Sequence, residues 1–232
     1  MHEPTEDEQI WEAVTAADPT FAERFERYEE KRREIDEALA PVREDLVLHG
    51  FRVAAIADLK LEDAPLKAAA PLLIKWLPIV TFRPAKCVII DVLHDRRAGV
   101  DAARALVSEF RRVAADDELD PMISIRAHLG SALRASATDA VADELLSIAA
   151  DRSQGAHRAL VVLALGGLKK NRAAAIDVLR SQLADAEVRV PAIDALGKLR
   201  ASDTHDEIER FREDQSPAVR AAARRALKKS GS

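Results

Sequence analysis

Six histidines and one cysteine are the residues of this chain best suited to metal binding or nucleophilic chemistry. The histidines are His2, His49, His94, His128, His157 and His205. No two lie three or four residues apart, so none forms the His-x-x-x-His or His-Glu-x-x-His pattern that sets two imidazoles on one helical face over a metal. The sole His-Glu dipeptide is His2-Glu3. Cys87 stands alone, which excludes an intrachain disulfide and a cysteine-based zinc site. A thiol nucleophile needs a histidine and a carboxylate gathered beside it. Nothing in the sequence gathers them, and a lone helical cysteine more often packs than reacts. Gly166-Gly167 is a lone pair inside a helical pattern rather than a phosphate loop. The expectation is therefore no catalytic residue, no metal, no cofactor and no enzymatic activity.

Basic residues carry a second signal, because they recur. A basic residue precedes a leucine by seven positions at Arg158/Leu165, Arg189/Leu196 and Arg220/Leu227. The same ruler finds Arg126/Leu133, Lys86/Leu93 and Arg52/Leu59 upstream. Successive anchors are 34, 40, 32, 31 and 31 residues apart. A near-constant period of this size marks an array of supersecondary units, each burying its apolar face against the next. Amphipathic patterns fill the gaps between anchors. Val141, Leu145 and Ile148 share a face over 138–150, Ile176, Leu179 and Leu183 over 172–183, and Ile208 and Phe211 over 202–211. Each unit reads as a helix pair. Helix starts are marked by Asp18-Pro19, Asp120-Pro121 and Ser216-Pro217, where an oxygen-bearing side chain caps free amides and proline takes the first helical position.

Composition agrees. Hydrophobic residues make up 48% of the chain, enough for a packed core, while aromatics are only 4%, too few for a β-rich fold. The most apolar stretch, 64–82, is interrupted by Lys67, Pro71, Lys75 and Pro78, and reads as a buried helix rather than a membrane span. The N-terminus is acidic and lacks the basic start and apolar run of a signal peptide. A reducing, cytoplasmic location is expected. The net charge of −5 hides an asymmetry: residues 1–50 hold 15 acids and 6 bases, and residues 155–232 hold 10 acids and 15 bases.

The segments VRVPAIDALGKLRA from Val188 and DQSPAVRAAARRALKK from Asp214 resemble the HEAT-like repeat, also seen in phycobilin-lyase-type proteins. The resemblance is strongest from Pro121 to Lys229 and extends to Ala64, and the layout is similar to small bacterial HEAT-repeat proteins. It implies an all-α, right-handed α-solenoid of about five to six helix pairs. Residues 49–232 would form the repeats. Residues 1–48, including a charged helix from Phe21 to Leu48 bent at Pro41, would form an N-terminal helical cap, continuous with them as one domain. The cap could instead serve as a docking arm.

In such proteins paired acids and bases tie adjacent repeats together. Arg126, Arg158, Arg189 and Arg220, with Asp120, Asp151, Asp185 and Asp214 shortly before them, are the expected structural ladder. The second helix of each pair lines the usual binding face. Counting from the anchor, the core takes positions −1, +3, +6, +7 and +10, and the opposite face takes +1, +5 and +8. That face supplies the expected partner-binding residues: Asp91, His94, Ser131, Arg134, Leu163, Asp194, Arg225 and Lys228. The row mixes small, apolar and charged groups without a single-sign stripe. The expected function is a soluble protein–protein interaction module or scaffold, holding another protein or peptide on its concave face. The alternative is a HEAT-like nucleic-acid-binding protein or a DNA glycosylase for alkylated bases. Nucleic acid is not the expected partner, because such domains show a basic footprint and Asp91 and Asp194 would repel phosphates. No membrane is expected as a partner, and the oligomeric state is left open.

Overall fold

The computed structural model describes residues 18, 20–113 and 124–230. The marks at Pro19 and at Asp120-Pro121 lie outside the described residues, as does the stretch 1–17 of the expected cap. Among the described residues the chain is all-helical and has no strand. Eleven α-helices follow one another: α1 (Phe21–Leu48), α2 (Leu66–Trp76), α3 (Arg83–Leu93), α4 (Val100–Arg112), α5 (Ile125–Ser136), α6 (Ala142–Ala150), α7 (Ala159–Ala164), α8 (Arg172–Gln182), α9 (Arg189–Leu199), α10 (His205–Glu209) and α11 (Pro217–Ser230). Single turns of 3₁₀-helix join several of them.

The helices pack in two rows. The anchored helices α3, α5, α7, α9 and α11 each rest on the next. Beside them, α2 packs on α4 and α6 on α8. The core runs between the rows. The anchored leucines Leu93, Leu133, Leu165 and Leu196 are all buried, as the seven-residue ruler requires. Alanine sets the spacing: Ala102, Ala149, Ala192 and Ala222 are each fully buried. Where a helix cannot come close enough even over alanine, glycine stands. A Cβ built on Gly197 would lie 2.6 Å from the Ala226 Cα, and one on Gly166 would lie 3.0 Å from the Ala195 Cα. Both glycines hold the +8 position and both alanines the +6 position of the following helix. The same contact therefore recurs one period later. Position +8 is an inter-helix contact at these two places, not the outward position the face count gave it.

Helix α1 continues through Pro41, and Leu39, Val42 and Leu46 around it are buried against α2 and α3. Two sequence expectations need correction. The anchor Arg52 is exposed on non-helical chain, and Leu59 is buried in a short 3₁₀ segment, Ile56–Lys60. Gly50 ends α1 with φ at 86°, and Pro65 precedes α2. The helix expected over 202–211 shrinks to α10, one turn long, flanked by 3₁₀ turns. No helix among the described residues is long and apolar enough to cross a membrane.

Candidate functional site

Arg126, Arg158 and Arg189 each reach beyond their own helix, while Arg220 bonds to the turn before its own. Arg158 is fully buried. It donates to the Ala149 carbonyl at the end of α6 (2.7 Å), to Gln182 Oε1 on α8 (2.6 Å) and to the Asp185 carboxylate in the turn after α8. Arg189 donates to the Leu183 carbonyl (2.8 Å), pairs with Asp214 at 3.6 Å and lies 5.4 Å from the Phe211 ring centroid. Arg126 reaches Gln154 and lies 4.7 Å from the Phe110 ring centroid. Arg220 donates to the carbonyls of Asp214 and Gln215. At Arg158 and Arg189 the partner is the aspartate that precedes the next anchor. Asp151 is engaged differently. It accepts from Ser153 and Gln154, and Gln154 in turn receives Arg126. Lys86 plays the corresponding part earlier in the chain, 2.5 Å from Glu109, which Arg112 also holds. Burial pushes the Glu109 carboxyl up, but its Arg112 and Lys86 hydrogen bonds outweigh this and leave it below its ordinary value.

On the anchored-helix face the predicted residues divide into three groups. The first surrounds Asp91. Its Oδ1 lies 3.0 Å from His128 Nε2 on α5 and 3.8 Å from His94 Nδ1. Burial raises Asp91, yet the His128 hydrogen bond and the nearby positive charges prevail and hold it below the usual carboxylate range. The Asp91 hydrogen bond raises His128, whereas burial and the Lys60 charge lower His94. Cys87 sits one helical turn before Asp91. Burial, then the Asp91 charge, push its thiol up to about 11. Such a thiol stays protonated near neutrality, the opposite of what a nucleophilic cysteine needs. Among the described residues no group of three or more His, Cys, Asp or Glu is placed to hold a metal ion.

The second group is Asp194 and Arg225. Both stand at position +5 of successive anchored helices, and Arg225 grips both Asp194 oxygens at 2.9–3.1 Å. This bidentate bond raises the Arg225 pKa. The carboxylate expected to repel anions in mid-row is thereby neutralised from within the protein. Ser131, the +5 residue of α5, and Lys228 on α11 are exposed on the same row.

The third group is a groove of about 660 Å³ across the ends of α5, α7 and α9. It brings Arg134 and Leu163 together, as members of the predicted face. It also gathers Arg96, Lys169, Arg172 and Lys198, which the face count missed. Those cations stand in turns or in terminal helical turns, where the +1, +5, +8 ruler does not reach. Its floor includes Gly166 and Gly167. No carboxylate lines it among the described residues. Beside the row, at this edge, the charge has one sign. Farther along the chain, Arg220 donates to the Asp214 and Gln215 carbonyls and Arg225 pairs with Asp194.

No model of a known protein family matches the chain, and no curated protein matches it.

Proposed function

We propose that the chain is a HEAT-like α-solenoid acting as a scaffold, with a protein partner held on the row of anchored helices α3, α5, α7, α9 and α11. The observation that carries this reading is the recurring stacking register. Gly166 meets Ala195 as Gly197 meets Ala226, and the Arg158–Asp185 joint is repeated in form by Arg189–Asp214. A register repeated from unit to unit sets one side chain per helix in line at each position, which is how repeat proteins make extended binding surfaces. Ser131, Leu163 and the paired Asp194 and Arg225 are such a line at position +5. A second reading, nucleic-acid binding, draws on the cationic groove alone.

The test is affinity capture with the full chain, identification of the bound protein, and titration of that purified protein against variants. Ser131→Arg and Arg225→Ala lie on the row but outside the groove. Each should weaken binding on the order of tenfold, as central interface changes do. Arg104→Glu, on the exposed side of α4 in the other row, should leave it unchanged. Equal binding by all three variants would remove the anchored-helix row as the binding face.

A further inference from the structure

We infer that the groove across the ends of α5, α7 and α9 binds an extended acidic peptide segment, its carboxylates meeting the groove's cations and its apolar side chains meeting the leucines between them. This deepens the scaffold reading and rests on it for the partner being a protein.

The charge is the first ground. Many cations of this molecule are met by carboxylates, among them Arg97 by Asp95, Arg180 by Glu207, Arg212 by Glu209 and Arg225 by Asp194. In the groove they are not. Arg96, Arg134, Lys169 and Lys198 converge there, and no described carboxylate pairs with any of them. Asp139, 30 residues upstream of Lys169, reaches this turn, and it is already used. It accepts from the backbone amides of Lys169, Lys170 and Asn171 at 3.4, 2.9 and 3.1 Å. Those bonds fix the backbone of the turn that carries Lys169 before any ligand arrives.

Helix dipoles offer a purely structural reason for cations here. They favour a base in a last helical turn, and Arg134 and Lys198 stand in the last turns of α5 and α9. Arg172 likewise closes α9, donating to the Leu199 and Arg200 carbonyls at 3.1–3.2 Å. The dipole does not account for Arg96 and Lys169, which come from turns and face the same space.

The lining chooses the class of ligand. Leu163, Leu168 and Leu199 lie among the cations. A phosphodiester backbone has nothing to offer them. Single-stranded nucleic acid is usually held by aromatic platforms as well as cations, and no aromatic side chain lines this groove among the described residues. Length fits too. Packed helices lie about 8–10 Å apart, so three successive ends span roughly 20 Å, which about six residues of extended chain cover. An acid at every third residue would then meet one cation per helix.

The experiment is a fluorescence anisotropy titration of the full chain with a labelled peptide of repeating Glu-Leu-Ser triplets. A Lys-Leu-Ser peptide, a single-stranded oligonucleotide and a duplex serve beside it, each at low and moderate salt. The acidic peptide should bind saturably and the basic one should not. The Lys169→Glu/Lys198→Glu protein should lose on the order of tenfold or more in affinity, since two attractions become repulsions. Lys169→Gln/Lys198→Gln should lose less, and Arg104→Glu nothing, with all variants matching the parent in circular dichroism. Absence of saturable peptide binding, or undiminished binding by the double charge reversal, would overturn the proposal. So would tighter binding of an oligonucleotide with a steep salt dependence that the same reversal abolishes; the groove would then be a nucleic-acid site. Partner binding that is lost with Ser131→Arg but kept with Lys169→Glu/Lys198→Glu would sink the groove and leave the scaffold. Peptide binding at the groove without any partner dependent on Ser131 would do the reverse.

Discussion

Arg158→Met tests whether buried arginines hold successive units in register. The side chain is 0% exposed, and its three partners come from the end of α6, from α8 and from the turn beyond α8. Methionine keeps most of the stem and removes the guanidinium. Three acceptors then lose their donor. Stripping one partner from a buried ion pair typically costs about 3–5 kcal/mol. Asp185 is 14% exposed and still accepts from the Glu187 amide at 3.0 Å, so its carboxylate is not wholly stranded. That places the loss near the low end, about 3 kcal/mol. Asp185→Asn keeps the Glu187 turn but leaves the buried Arg158 guanidinium without its counter-charge, and should likewise cost about 3 kcal/mol. In the Asp185→Asn background the arginine substitution strands no carboxylate, so the two losses should fall short of additivity by about 1 kcal/mol. Arg189→Met is the internal comparison. Its side chain is 23% exposed and its Asp214 contact is longer, so it should lose about 1 kcal/mol. Urea denaturation followed by circular dichroism measures each value. A fall in the denaturant slope beside the midpoint shift would report units unfolding separately once the joint is cut. A loss below about 0.5 kcal/mol for Arg158→Met, with an unchanged slope, would refute the assignment of Arg158 as a joint.

Three further outcomes follow from the geometry. Gly197→Ala should destabilise, because its Cβ would meet the Ala226 backbone at 2.6 Å and overpacking outweighs the roughly 1 kcal/mol gain in helix propensity; Gly166→Ala, at 3.0 Å from Ala195, should come out near neutral, both read by thermal unfolding. Arg200→Gly should stabilise by about 1 kcal/mol in the same assay, since Arg200 ends α9 at φ 51°, a left-handed conformation that glycine adopts without strain. NMR titration of the imidazoles should find His128 above its ordinary value and His94 below it, with Asp91→Asn removing the His128 elevation. His128, raised in the fold, lends stability that is complete below its unfolded pKa of about 6.5 and is lost as pH rises through its folded value. His94, lowered in the fold, acts oppositely and loses stability as pH falls below about 6.5, so a His94→Gln protein should weaken more clearly on going from acid to alkaline conditions than the parent.

How far the sequence could be read depended on whether a feature was periodic. The anchored leucines and the arginine joints were legible, because burial and stacking demand the same residue type at the same place in each unit. Leu165 and Leu196 are both fully buried, and Arg158 and Arg189 both bond forward to an aspartate. Ile56 and Leu59 obeyed the same apolar spacing, yet the stretch between Gly50 and Pro65 holds only a 3₁₀ segment. Helix α7 stops at Ala164, short of the pattern that continues to Leu168, since Gly166 and Gly167 close it in a 3₁₀ turn. The groove was hidden for a different reason. Arg96 and Lys169 belong to turns, and no helical ruler predicts what a turn residue faces.

Charge was the property most misjudged from sequence, and the cause lies in stacking. Asp194 and Arg225 are 31 residues apart in the chain, one full period, and therefore adjacent on the surface. Asp91 and His128 are 37 apart and are joined in the same way between α3 and α5. Counted along the chain, these acids make the anchored-helix row look mixed in sign. Counted in space, each is paired with a side chain of the next anchored helix. The lysines and arginines at the ends of α5, α7 and α9 have no such answer among the described residues, because Asp139, the carboxylate that reaches the turn beside them, is spent on backbone amides. Salt screens exposed charges from one another beyond about 10 Å, so what an anionic partner meets is set by the side chains lining the groove and not by the total. A chain with a net charge of −5 can therefore still offer such a partner a local site of opposite sign.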